Sequence, residues 1–286
     1  MKQAPRNDSS VNSAKTRGDA QPLPVVKGIF PFRLGTTSYI VPAAAIPNIR
    51  FLGPHVDEIE LLLFESEGEN SLPSRADIDE MRLLAAEFDL LYNVHLPTDV
   101  YLGDADPLLR ERSRRTMLRF IDRTSTLDPT VFILHCESSS ADVRRNTDPN
   151  AWMHRMGESL EKLVRDGVDP HRVVLENIEY PPATILPLAE HFGMSLCMDI
   201  GHLLRCGHNL CEQMQPFLGK TSMIHLHGVA NGRDHLGVHW IPEEAWNLIY
   251  RALFASYTGG LSLEVFALAE LIPSIHRIQN QSRKIP

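Results

Sequence analysis

The sequence predicts a single-domain (β/α)8 (TIM) barrel, and three observations carry that prediction. Eight short β-branched or Leu-rich runs, marked by Leu34, Ile59, Asn93, Phe132, Val173, Leu196, Met223 and Ser262, are each bounded by turn residues. Stretches with helical spacing lie between most of them. The markers recur at intervals of about 33 residues, in line with the ~30 or more that a βαβ crossover needs, and eight such units close into a barrel. An open doubly wound sheet that held a nucleotide would normally carry a Gly-rich first turn or a Walker loop, and neither motif is present.

Taken in order, residues 1–28 are rich in Ser, Asn, Pro, Lys and Arg, have no apolar period, and are expected as a disordered tail. Residues 29–286 are assigned to the barrel. The spacing of Ile78, Met81, Leu84, Ala85 and Phe88 makes one apolar helix face, as does that of Trp152, Met156, Leu160, Leu163 and Val164. Further helices are predicted over about 108–126, 183–192, 203–218, 242–256 and 267–280, each opened or closed by Pro, Gly or an Asx residue.

The chain has 286 residues, 28 basic against 36 acidic, a formal net charge of −8 and 43% hydrophobic residues, the profile of a soluble domain able to bury a full core. An acidic body is a poor candidate for generic nucleic-acid binding. No run approaches the ~18 consecutive apolar residues of a membrane span, and the N-terminus lacks signal-peptide features, so the expectation is a cytoplasmic protein without a membrane partner. Cys136, Cys197, Cys206 and Cys211 form no CxxC pair and are expected as reduced thiols, mostly packed.

Barrel enzymes place reacting groups at the carboxyl ends of their strands, and polar residues collect there. The strand-end segments are Asn93-Val94-His95, His135-Cys136-Glu137, Glu176-Asn177, Asp199-Ile200-Gly201-His202, His225-Leu226-His227, Arg233-Asp234-His235 with His239, and Glu264-Val265-Phe266. Seven of the 13 histidines fall in them, with the carboxylates Glu176, Asp199, Asp234 and Glu264. Several carboxylates aimed into one mouth repel each other unless cations lie between them. A cluster of divalent ions, Zn, Mn or Fe, held by imidazole and carboxylate resolves the conflict. Such a pocket is neutral to positive and accepts an anionic phosphodiester. Strand alternation puts His225 with His227, and Asn93 with His95, on shared faces, and Gly201 is read as a sharp turn after its strand.

A lone strand-end histidine is as readily a hydrogen-bonded core residue as a ligand, and the joint pattern over six strands favours ligands. His55, His154, His171, His191, His208 and His276 lie in helical or turn stretches and are read as structural. Arg110, Arg112, Arg114 and Arg115 are read as a solvated helix face.

These residues resemble the superfamily of apurinic endonucleases and xylose isomerase-like barrels. The resemblance implies His95, His135 and Glu176 around one metal, and Glu176, Asp199, His225 and Glu264 around a second. His202 would join a third with the acidic-His element, where Asp234-His235 replaces the nuclease Asp-x-His. More narrowly, Phe30-Pro31-Phe32-Arg33-Leu34-Gly35, Val56-Asp57-Glu58-Ile59-Glu60, Asn93-Val94-His95-Leu96-Pro97 and Ile224-His225-Leu226-His227-Gly228 look like the cobamide-remodelling phosphodiesterases CbiR. That likeness implies hydrolysis of the phosphodiester in the nucleotide loop of a corrinoid, a small-molecule substrate, with two or three divalent ions.

On this reading Glu176 bridges, and His227, Asp234 and His235 orient water or protonate the leaving group. Asn93, Glu137 and Asn177 are expected around the metals or on the substrate, and Arg144, Arg145, Arg205 and Arg233 are loop candidates for binding the phosphate or corrin amides of the substrate. The rivals are a sugar or cyclitol isomerase or epimerase using only Glu176, Asp199, His225 and Glu264, a DNA-repair nuclease disfavoured by the acidic body, and a non-catalytic corrinoid-binding protein. The oligomeric state is left open.

Overall fold

The computed structural model describes residues 22–65, 71–139, 142 and 148–282. Its strands are β1 (Arg33–Thr37), β2 (Glu58–Leu62), β3 (Leu91–His95), β4 (Phe132–His135), β5 (Val173–Glu176), β6 (Ser195–Asp199), β7 (Thr221–Leu226), β8 (Gly228–Ala230), β9 (Arg233–Leu236) and β10 (Gly260–Leu263). β1 to β7 and β10 close into a parallel barrel in the order β1-β10-β7-β6-β5-β4-β3-β2, and β8 pairs with β9 as a separate antiparallel hairpin. The (β/α)8 expectation is met, with every predicted strand marker inside its strand.

The helices are α1 (Ala45–Leu52), α2 (Arg75–Phe88), α3 (Pro107–Thr124), α4 (Pro149–Arg165), α5 (Pro182–Phe192), α6 (Ile200–Arg205), α7 (Leu210–Met214), α8 (Glu243–Ser256) and α9 (Leu268–Ser282). Their starts are written in the sequence. Ser74 and Asp77 form a reciprocal capping box at α2, and Asp106 and Asp148 cap α3 and α4, each ahead of a Pro at the first helical position. The faces of α2 and α4 bury Ile78, Met81 and Leu84, and Trp152, Met156, Leu160 and Leu163, along the predicted stripes.

Four expectations change. Helix α1 was not anticipated, because Pro47 and Asn48 interrupt its short apolar pattern. The predicted helix over 203–218 is two short ones: Gly207 takes a left-handed φ of 70° and Asn209 caps α7. Of the expected tail, residues 1–21 lie outside the described residues, but Leu23 and Val26 are buried in the core, so packing begins before residue 29. Cys136 and Cys197 are buried as expected, whereas Cys206 and Cys211 are exposed.

Outward residues of the strands, such as Leu34, Ile59, Val94, Leu134, Leu175, Met198, Ile224 and Leu261, pack under the helices in one core. The lumen is divided. Ile133, Val174, Cys197 and Met223 fill the side made by β4 to β7, while Glu58, Glu60, Asn93 and Ser262 are buried on strands β2, β3 and β10. At the amino end Arg33 pairs with Glu58 at 3.1 Å, and the Thr130 hydroxyl donates to the same carboxylate. No helix among the described residues is long and apolar enough to cross a membrane.

Candidate metal centre

Parallel register brings the strand ends level: His135 lies opposite Glu176, and Asp199 opposite His225. Glu176 is at the centre. Its Oε2 is 3.0 Å from His135 Nε2 and 3.2 Å from His95 Nε2, and its Oε1 is 2.8 Å from His225 Nδ1. His225 Nδ1 is also 3.6 Å from Glu264 Oε2 and 4.0 Å from Asp199 Oδ2. Asp199 reaches the other way as well, 3.4 Å to His227 Nε2 and 3.6 Å to His202 Nε2, and His235 Nδ1 is 3.5 Å from Glu264 Oε2.

Three neighbouring sets therefore each bring their ligating atoms within 4.8 Å of one another: His95, His135 and Glu176; Glu176, Asp199, His225 and Glu264; and His202, His227 and His235. Imidazole nitrogen and carboxylate oxygen in threes and fours are donors for Zn, Mn or Fe. The sets fit a cation on a further observation: Glu176 Oε2, Asp199 Oδ2, Glu264 Oε2 and His227 Nε2 are buried with no hydrogen bond from the protein. His95 is already oriented, because its Nδ1 lies 2.9 Å from the Leu96 carbonyl. Donation there leaves the Nε2 lone pair facing the cluster.

Local backbone builds the third set. Asn231 and Gly232 both take positive φ, the two-residue turn that suits a tight hairpin, and the hairpin carries His235 back over the mouth. His235 itself sits at φ 52°, a left-handed conformation that costs a non-glycine residue ~1–3 kcal/mol. Its amide donates to His227 Nδ1 at 3.0 Å, and the two rings are 4.3 Å apart. Gly201 has a different function from the expected turn: it lies inside α6, and a Cβ there would run into the His227 ring.

Electrostatics match this crowding. Burial would raise the Glu176 pKa, but His225 and His135 hold it well below the ordinary carboxylate value. Burial, with Asp199, Glu60 and Glu176 nearby, holds Glu264 well above it despite His225. Burial would lower His135, yet Glu176 and Glu137 bring it up to about 10. Burial likewise opposes His227, and Asp199 and Glu264 bring it up to about 9. Burial and His227 push His235 down to about 4.

These values set a pH dependence for the metal-free protein. His135 and His227 are raised above the unfolded value of about 6.5, so their stabilisation is complete below that pH and is lost as pH rises through about 9 and 10. His235 is depressed, so its contribution is present above about 6.5 and is lost as pH falls towards 4. Melting temperature measured in excess chelator is expected to peak near pH 6.5 and decline on both sides; a flat profile from pH 6.5 to 10 would contradict the ion pairing.

Not every expected residue joins the cluster. Asp234 stands apart from the three sets, its Oδ2 paired with Arg205 Nη1 at 2.8 Å, because the hairpin register points it towards α6. Asn177 is fully buried and exchanges hydrogen bonds with the Asp199 backbone at 3.0 and 3.1 Å, so it braces β5 to β6 and is not free to touch substrate. Asn93 is buried in the lumen opposite Glu60. Glu137 lies 3.8 Å from His135 Nδ1, beside a candidate ligand. Arg233 is exposed at the hairpin turn, and Arg144 and Arg145 lie outside the described residues.

Two residues were overlooked. Glu60 is completely buried with an oxygen 3.0 Å from His225 Nε2; the alternation of Glu58, Glu60 and Leu62 was the available signal. Phe266 is exposed at the mouth, its ring 5.2 Å from that of His235. On the outer surface Arg114 and Arg115 pair with Glu111, in keeping with a solvated face. A cavity of about 500 Å³ between α2 and α3, lined by Arg75, Arg82, Arg119 and Arg123 with Asp79 and Asp122, belongs to that charged exterior and not to the strand ends.

Fold and site define a parallel β/α barrel whose carboxyl-end rim is lined by imidazole and carboxylate. The chain belongs to the xylose isomerase-like TIM barrel family, whose model matches residues 55–280. A search of curated proteins finds no sequence match. Among solved structures, a D-tagatose 3-epimerase-like protein aligns with TM-score 0.71 and 18% identity over 88% of this chain and 97% of that one. D-psicose 3-epimerase from Clostridium cellulolyticum gives 0.67 and 14%, covering 88% and 98%. Endonuclease IV from Thermus thermophilus gives 0.64 and 14%, covering 88% and 100%. At these identities the likeness is one of fold.

Proposed function

We propose that the chain is a metal-dependent hydrolase that cleaves the phosphodiester of the nucleotide loop of cobamides, in corrinoid remodelling or salvage. The observation that carries the hydrolase reading is the number of ligand sets. A one-ion isomerase or epimerase needs only Glu176, Asp199, His225 and Glu264, whereas here His95 and His135 complete a second set on the same Glu176, and His202, His227 and His235 a third beside it. His95, His135 and Glu176, and Glu176, Asp199, His225 and Glu264, would hold divalent ions, which would supply Lewis-acid polarisation of a phosphoryl oxygen and an activated water.

The chain's own residues do the rest. Glu176 holds the first two sets together through its two oxygens. His227 accepts the His235 amide on Nδ1, so its ring proton sits on Nε2, 3.4 Å from Asp199, from where it would be delivered to a leaving oxygen. Were a third ion bound, His202, His227 and His235 would be its ligands instead. Phe266 offers an aromatic face to a flat lower-ligand base, and Arg233 a cation to phosphate. The substrate assignment rests on the CbiR-like phrases at residues 30–35, 56–60, 93–97 and 224–228. A net charge of −8 favours a small anionic ester over a nucleic acid.

Incubating the purified protein with adenosylated cobamide and Mn²⁺ or Zn²⁺, with and without chelator, tests the reading by product mass. The expected result is conversion to cobinamide phosphate or cobinamide, abolished by chelator; intact substrate in the presence of metal would count against it. The epimerase reading draws on the complete four-residue set and the epimerase neighbours. A single ion per chain together with aldose–ketose or ketose C3 interconversion would favour it.

A further inference from the structure

We propose that Glu60 is a positioning residue of this centre: from the barrel lumen it holds the His225 ring so that Nδ1, and not Nε2, is presented to an ion. The inference rests on the reading that the rim binds a divalent metal. His225 is completely buried, and its two nitrogens face different carboxylates: Nδ1 lies 2.8 Å from Glu176, while Nε2 lies 3.0 Å from Glu60 Oε2, a close approach in which neither of those two atoms has a completed hydrogen bond to any other group. A neutral imidazole carries one proton. With that proton on Nε2 against Glu60, the Nδ1 lone pair faces the oxygens of Glu176, Asp199 and Glu264, the set that shares its reach. The opposite tautomer would aim Nδ1–H into the ligand set and a lone pair at a buried carboxylate.

Among the described residues, the closest charged partner of this carboxylate is His225. Barrel lumens are ordinarily filled by Val, Ile and Leu, as the side made by β4 to β7 is here. Glu60 is fully buried, and among the described residues its ion pair is with His225. Around it lie two uncharged groups, Asn93, its register partner, and Ser262, the register partner of His225, and the more distant His95 imidazole, which also favours the ionised carboxylate. Burying an ionised group without a partner is costly, so the His225 contact is what keeps Glu60 tolerable. A carboxylate that receives the distal proton of a metal-bound histidine fixes the ring and raises its basicity.

The test compares wild type with Glu60→Leu and Glu60→Gln, with folding checked by circular dichroism. Mn²⁺ or Zn²⁺ alone is titrated against a chelating dye, so that substrate does not enter. Glu60→Leu is expected to weaken binding by ~10–100-fold, the range for partners behind a ligand. Glu60→Gln, whose amide oxygen still accepts the Nε2 proton, is expected to recover most of it. Long-range ¹H–¹⁵N spectra of the Zn²⁺-loaded wild type and Glu60→Gln proteins should both show His225 protonated at Nε2. That spectrum carries the test should Glu60→Leu fail to fold. A proton on Nδ1, or a folded Glu60→Leu that binds as wild type does, would overturn the role of Glu60 alone. Wild-type protein that takes up neither ion would remove the metal reading and this inference with it.

Discussion

Replacing Glu176 with Gln is expected to abolish tight binding at two ion positions at once and to remove hydrolysis with it. Its Oε2 stands within 3.2 Å of His95 and His135, and its Oε1 within 2.8 Å of His225. Gln keeps the shape but removes the one charge that these three imidazoles share, and turns an N–H₂ group towards nitrogens that must offer lone pairs. Partners behind a metal ligand already cost ~10–100-fold in affinity or activity, so a shared ligand is expected to cost more than that. The metal-free variant should also melt earlier at pH 6.5, because removing one member of a buried ion pair leaves the other uncompensated, at ~3–5 kcal/mol. Metal analysis after gel filtration, turnover and thermal melts read the three effects. A variant that retains two ions per chain and full turnover would remove the bridging role of Glu176.

The same residues show how much of this was legible in the chain. A parallel barrel buries both faces of its strands, so the eight runs around Leu34 to Ser262 stand out as apolar segments at near-constant spacing, and a carboxylate or histidine at the end of such a run is conspicuous. His95, His135, Glu176, Asp199, His225 and Glu264 were visible for that reason, and the structure brings them together. Glu60 lay within the run Glu58-Ile59-Glu60-Leu61-Leu62 and not at its end, so only strict alternation marked it as facing the lumen. The direction of Asp234 is not legible in the same way. It depends on the register of the β8–β9 hairpin, which two consecutive positive-φ residues and the Arg205 pair decide together. Asn177 looked like a substrate contact because it follows Glu176, but its amide is occupied by the Asp199 backbone, a cross-strand pairing that no local pattern shows.

Gly201→Ala makes a sharper demand on the third set. Within a helix the exchange of Gly for Ala ordinarily stabilises by ~1 kcal/mol, since Ala loses less backbone entropy. Position 201 reverses that sign. A Cβ there would run into the His227 ring, and the ring has little room to retreat. It is fully buried, packed 4.3 Å from His235, and receives the His235 amide on Nδ1 at 3.0 Å. Overpacking of this kind costs ~1–3 kcal/mol, so a lower melting temperature is expected in place of a higher one. Displacement of His227 also takes one nitrogen from the His202, His227 and His235 set and moves the proton-bearing ring away from Asp199. The variant should therefore retain the ions of the Glu176-centred sets, lose any third ion, and turn over more slowly by ~10²-fold if His227 supplies the leaving-group proton. Unchanged turnover with His227 shifted in a crystal structure would take His227 out of the chemistry and leave the two Glu176-centred sets to account for it.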